Sequence, residues 1–201
     1  MKPFDYRLYL ITDGKPDLLR RVREALQGGV TIVQYREKKK SFEEMTKEAS
    51  ELKALCHEFG VPLIINDYPE LAKAIGADGL HVGQSDAKME EARQILGNDF
   101  PIGVSARTVE EAKIAEKNGA IYVGVGAIFP TGSKADAAVI ATSVVGDIKA
   151  GVQLPTLLIG GISLASLPKI KTEYDGLCVI SGILSQENIQ LAAQQILERG
   201  Y

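Results

Sequence analysis

Short apolar runs alternate with amphipathic stretches along the whole chain. The runs Leu8–Thr12, Ile32–Arg36, Leu63–Asn66, Gly79–Val82, Ile102–Ser105, Ile121–Gly126, Thr156–Ile159 and Leu177–Ile180 are rich in Val and Ile and mostly apolar. That is the pattern of parallel strands covered on both faces. Between them, apolar residues recur at helical spacing. Leu18, Val22, Ala25 and Leu26 share one face of the first helix, and Met45, Ala49, Leu52, Leu55 and Cys56 one face of the second. The last helix, from Gln186 to Arg199, gathers Ile189, Ala192, Ala193 and Ile196. Eight strand-then-helix units predict parallel strands with crossover helices, and eight strands allow closure without a free edge. A doubly wound open sheet is the competing architecture, but it usually has fewer strands at this length. The expected fold is α/β, a (β/α)8 TIM barrel, with residues 1–201 as one domain.

Helix boundaries are legible in places. Ser41-Phe-Glu-Glu44 has the form of a capping box, and Thr108-Val-Glu-Glu111 repeats it. Gly28-Gly29, Gly60 and Gly119 follow helices, where left-handed caps favour glycine. One connection differs. Ile128 to Ala141 has no clear periodicity and reads as a functional loop, a lid or a binding loop.

Composition narrows the function. The chain has 201 residues, a net charge of −3 and intermixed acids and bases. A nucleic-acid surface is not expected, since the longest basic run is Lys38-Lys39-Lys40. No run approaches the ~18 apolar residues that span a membrane, and no secretory signal is visible at the start. Cys56 and Cys178 read as buried free thiols. A reducing cytoplasm is the expected location.

Polar and glycine residues collect at one end of the strands: Gln34-Tyr-Arg36-Glu37-Lys38, Asn66-Asp67, His81-Val-Gly83-Gln84-Ser-Asp86, Ser105, Pro130-Thr131-Gly-Ser133-Lys134, Gly160-Gly161 and Ser181-Gly182. In a barrel enzyme, chemistry belongs where strands end. Gln34, Arg36 and Lys38 are spaced by two and share a face, while Tyr35 and Glu37 face away. Two cations pointing together need an anion, and the fork of Arg with the point charge of Lys suits a diphosphate. The alternative is a strand end salt-bridged through Glu37. Asp67 and Asp86 end neighbouring strands ~4.8 Å apart, where magnesium could join them to phosphate oxygens. Asp86 could equally cap a helix beginning near Ala87. The glycines and Ser181 make a second anion corner. His81 ends strand four and reads as a hydrogen-bonded structural histidine, and His57 as a surface residue. No Ser-His-Asp or Cys-His arrangement and no Walker loop is evident. The set suits a reaction in which a diphosphate leaves and a neutral nucleophile attacks.

This ordered set, with Gly103-Val-Ser105, resembles the thiamine-phosphate synthase family from about Tyr9 to the last helix. The resemblance implies a magnesium-dependent transferase of the same barrel fold, joining a hydroxymethylpyrimidine diphosphate to a thiazole phosphate (or its carboxylated form) with release of pyrophosphate. Under it, Gln34, Arg36, Lys38, Asn66 and Lys134 hold the pyrimidine diphosphate, and Ser105 lies beside it. Arg36, Lys38, Ser105 and Lys134 are the residues expected to act in the reaction. Asp67 and Asp86 bind Mg2+. Thr131, Ser133, Gly161, Ile180 and Ser181 hold the thiazole phosphate. Ser133 stands where many members carry threonine, Leu158 is expected to crowd the thiazole side, and Ala137–Ser143 follows the family loop poorly. A tautomerase-like branch of the same barrel and a non-catalytic sensor of thiamine precursors are the alternatives. The tautomerase branch lacks much of the diphosphate and magnesium set, which is kept here, and a sensor need not organise a leaving group. The partners expected are the two phosphorylated small molecules, with room left for a homo-oligomer.

Overall fold

A computed structural model describes residues 4–84, 86–132 and 139–201, with the backbone alone for Asp86. Its strands are β1 (Leu8–Ile11), β2 (Ile32–Tyr35), β3 (Leu63–Asn66), β4 (Gly79–Val82), β5 (Ile102–Ala106), β6 (Tyr122–Gly126), β7 (Thr156–Ile159) and β8 (Gly176–Val179). They close in sequence order, each parallel to the next, and β8 pairs back onto β1 through Tyr9 and Cys178. The barrel predicted from the alternation is the barrel found.

The helices are α1 (Leu18–Gln27), α2 (Phe42–Glu58), α3 (Pro69–Ile75), α4 (Asp86–Leu96), α5 (Val109–Lys117), α6 (Thr142–Gly151), α7 (Ser181–Leu184) and α8 (Ile189–Gly200). One expected unit is missing its helix. Between β7 and β8 the described chain makes only a single 3-10 turn, Leu167–Lys169, where Pro168 removes a backbone donor. Two helices follow β8 instead of one, and α8 starts after Gln186 because the Asn188 side chain caps it, accepting from Leu191 N at 2.8 Å.

The expected caps divide. Ser41 and Glu44 form the full reciprocal box at the start of α2. Thr108 caps α5 through Glu111 N, but the Glu111 carboxylate accepts from Arg107 N at 2.6 Å rather than from Thr108. Asp13 at the end of β1 is tied inward by Arg21 of α1, with contacts of 2.7 and 2.8 Å, and Arg21 also donates to Leu184 O of α7.

Strand parity divides the core into two layers. Tyr9, Ile11, Ile32, Ile64, Tyr122, Leu157 and Cys178 fill the barrel interior, while Leu8, Leu10, Val33, Leu63, Ile65, Val123 and Leu158 pack outward against the helices. Leu158, expected to crowd the thiazole side, therefore faces the helices and not the barrel interior. It is fully buried in the outer layer, and its neighbour Ile159 is the residue turned inward.

Candidate active site

The C-terminal ends of the strands open onto two adjoining pockets. The first is lined by Gln34, Arg36 and Lys38 from β2 and the turn after it, by Asn66 and Asp67 after β3, and by His81, Lys88 and Ser105. Gln34 of β2 and, from the turn after it, Arg36 and Lys38 line the pocket as expected. Tyr35 instead donates to Glu48 of α2 at 2.7 Å. Glu37 is buried and accepts from the N–H groups of Lys38 and Lys39, with the Lys40 ammonium 3.9 Å away. The side chains of Arg36 and Lys38 form no ion pair among the described residues, so Glu37 is not their counter-charge. Two unpaired cations facing one pocket favour a polyanion there.

Asp67 has a left-handed backbone, φ 64°, and its N–H donates to His81 O at 2.9 Å. Its carboxylate takes a hydrogen bond from Asn66 Nδ2 at 2.9 Å and faces the Lys88 ammonium at 3.3 Å. Asp67 thus already attracts a cation, across a largely solvent-screened pair. The side chain expected to join it, Asp86, lies outside the described residues, although its backbone opens α4.

The second pocket is lined by Thr131, Gly161, Ile180 and Ser181, with Arg107. Gly161 has φ +63°, and a Cβ there would fall 2.6 Å from Pro130 O, so the turn requires glycine. Ser133 and Lys134, expected here and beside the diphosphate, lie outside the described residues, as do all of 133–138 in the loop from Ile128 to Ala141. The two pockets share Ser105, Gly83, Gly124, Ile159, Cys178 and Ile180 as a common wall.

Several lining residues were not singled out from the sequence. Tyr9 and Tyr122 form the floor; Tyr9 shares the inward parity of β1 with Ile11, and Tyr122 that of β6 with Gly124 and Gly126. Arg107 is the charged residue among those described in the second pocket, two positions beyond Ser105 and so on its face. Lys88 carries no periodic signal. Burial raises the phenols of Tyr9 and Tyr122 above their ordinary range and keeps both neutral. Cys178 is a free thiol on the shared wall, and burial likewise pushes it up.

Gly103 gives this floor its shape. A Cβ there would lie 2.0 Å from the Tyr122 ring, so the bare backbone lets Tyr122 reach across β5. His81 and Tyr122 then stack with centroids 5.6 Å apart, although their strands are not neighbours.

A closed barrel with two adjoining pockets at the C-terminal ends of its strands places this chain among the (β/α)8 enzymes acting on small molecules. Comparison with known proteins narrows the class. The sequence model described as thiamine monophosphate synthase matches residues 8–183. Thiamine-phosphate synthase of Clostridium acetobutylicum is 46% identical, over 98% of this chain and 96% of the relative. Its counterpart in Desulfitobacterium hafniense is 48% identical over 96% of this chain and 97% of the relative. Among solved structures, thiamine phosphate pyrophosphorylase from Pyrococcus furiosus superposes with a TM-score of 0.88 at 37% identity, covering 98% of this chain and 97% of that one. The chain belongs to the thiamine monophosphate synthase family, and it is a transferase.

Proposed function

We propose that this barrel joins 4-amino-2-methyl-5-hydroxymethylpyrimidine diphosphate to 4-methyl-5-hydroxyethylthiazole phosphate, or to its carboxylated form, and releases pyrophosphate. The observation that carries the proposal is the pair of pockets meeting at Ser105, one bearing unpaired Arg36 and Lys38 and the other built on Gly161 and Ser181. Substitution needs such adjacency, because the carbon that loses diphosphate must face the attacking nitrogen.

In this scheme Gln34 and Asn66 orient the pyrimidine diphosphate. Arg36 and Lys38, joined by Lys134, neutralise the diphosphate as the bond from the exocyclic methylene to oxygen breaks. The electron-rich aminopyrimidine carries the resulting positive charge. The thiazole, held through its phosphate by Thr131, Ser133, Gly161, Ile180 and Ser181, attacks with its ring-nitrogen lone pair. That nitrogen has no proton to lose, so no general base is needed. Asp67 fits a magnesium role, as a pocket carboxylate that already faces a cation, and it would hold Mg2+ with Asp86 and phosphate oxygens. When bound, the ion adds positive charge against the leaving group. We assign all of 1–201 to one catalytic domain, acting in the cytoplasm, where the buried free thiols of Cys56 and Cys178 would stay reduced.

The test is to incubate the purified protein with both substrates and Mg2+ and to follow thiamine phosphate and pyrophosphate. Equimolar formation of both is expected. Binding of both substrates without turnover would instead mark a sensor, and isomerisation of the thiazole carboxylate phosphate without coupling a tautomerase.

A further inference from the structure

A hydrogen-bond chain crosses the barrel beneath the two pockets. Gln34 Nε2 donates to the Tyr9 hydroxyl at 2.9 Å, Tyr9 and Tyr122 hydroxyls meet at 2.8 Å, Tyr122 reaches His81 Nδ1 at 3.0 Å, and His81 Nε2 meets Ser105 Oγ at 3.0 Å. Both ends line the first pocket, and Ser105 lines the second as well. Each phenol has one proton, and a buried donor left without an acceptor costs about 1–3 kcal/mol. Since Tyr9 accepts from Gln34, its own proton goes to Tyr122, and that of Tyr122 goes to Nδ1. The imidazole then carries its proton on Nε2 and gives it to Ser105. The ends of the chain are thus coupled: Gln34 keeps its Oε1 for an amino group in the pocket, and Ser105 keeps its hydroxyl proton for an acceptor. Turning the Gln34 amide over would reverse every bond in the chain, so the tautomer of His81 reports the polarity of both ends.

We propose that His81 is a positioning residue which, held as the Nε2–H tautomer by Tyr9 and Tyr122, makes Ser105 a hydrogen-bond donor into the space between the two substrates. The inference rests on the synthase reading for what Ser105 donates to, an oxygen of the departing diphosphate or a pyrimidine ring nitrogen. The polarity itself does not depend on that reading.

Nitrogen-15 NMR of the histidine rings of the substrate-free protein, at a pH where they are neutral, reads the tautomer directly. A protonated Nε2 and bare Nδ1 at His81 are expected, and the reverse overturns the proposal. Kinetics read the consequence. In His81→Gln the amide nitrogen stands in for Nε2 and still donates to Ser105, so kcat should stay within about tenfold of the parent. His81→Asn presents its donors at the Nδ1 distance only, so it should lose about 10–100-fold, as should Ser105→Ala. Combining His81→Asn with Ser105→Ala should cost nothing beyond Ser105→Ala alone. Equal losses in the Gln and Asn variants, or additive losses in the double variant, would overturn it. Turnover by the unsubstituted protein tests the synthase reading separately, because the tautomer is measured without substrate.

Discussion

Arg36 meets the first pocket with a planar, permanently charged fork that has no acid partner among the described residues. If its role is to hold a leaving diphosphate, charge and shape should both count. Arg36→Ala is expected to lower turnover by about 10²–10³-fold, and Arg36→Lys to recover only part of that, since ammonium lacks the bidentate geometry. Steady-state pyrophosphate release measures both. In the same series, Asp67→Asn should raise the Mg2+ concentration needed for half-maximal rate; an unchanged magnesium dependence would remove Asp67 from the metal site. Residue-level legibility was uneven for a physical reason. Gln34, Arg36 and Lys38 declare themselves because two-residue spacing fixes the face of a strand. The contact of His81 with Tyr122 does not, because it spans 41 residues and nonadjacent strands. It depends on the space left by Gly103, whose role in the sequence looked like part of a motif only.

Among the elements, α1 is fastened to the barrel by a charge pair rather than by packing alone. The Arg21 and Asp13 side chains are only 9% and 10% exposed. Burial pushes the Asp13 carboxyl up, but hydrogen bonds from Arg21 and from Lys15 N–H outweigh it and hold the group below the usual carboxylate range. A lowered folded-state pKa means that the stabilisation is present above the unfolded value, about 3.9, and is lost as pH falls through the folded value. Arg21→Met should therefore destabilise the protein near neutral pH by up to about 3 kcal/mol, because Asp13 loses its bidentate partner and keeps only the Lys15 N–H and the exposed Lys15 ammonium 3.7 Å away. The gap from the parent should narrow below about pH 4, and urea unfolding at several pH values measures it. Element boundaries followed their local signals. Ser41 and Asn188 each start a helix through their own side chains, but of the two only Ser41 is legible in the sequence, being paired with Glu44. The missing helix before β8 was hidden by alternation itself, which counts a crossover without stating whether its short segment can coil.

For the molecule as a whole, the fold was the most legible feature, because eight repeats of one period point to one closed topology. Which inward positions become floor and which become mouth was harder to read, since parity gives the face but not the depth. Leu158 shows the gain from the register: one residue separates the outer layer from Ile159 on the pocket wall. Closure also shields both cysteines. Burial, with Asp78 nearby, pushes the Cys56 thiol up to about 12, and Cys178 is pushed higher still by burial. Labelling of Cys56 by a thiol reagent at mildly alkaline pH should thus follow unfolding, with this thiol silent in the native protein and reactive in denaturant. We propose that one barrel mouth holds the two halves of a coupling reaction on either side of Ser105. A crystal structure with thiamine phosphate, pyrophosphate and Mg2+ decides this. Pyrophosphate is expected against Arg36 and Lys38, the thiazole phosphate at Gly161 and Ser181, and the bridging methylene beside Ser105; pyrophosphate in the Gly161–Ser181 corner, or a product bound away from Ser105, would contradict it.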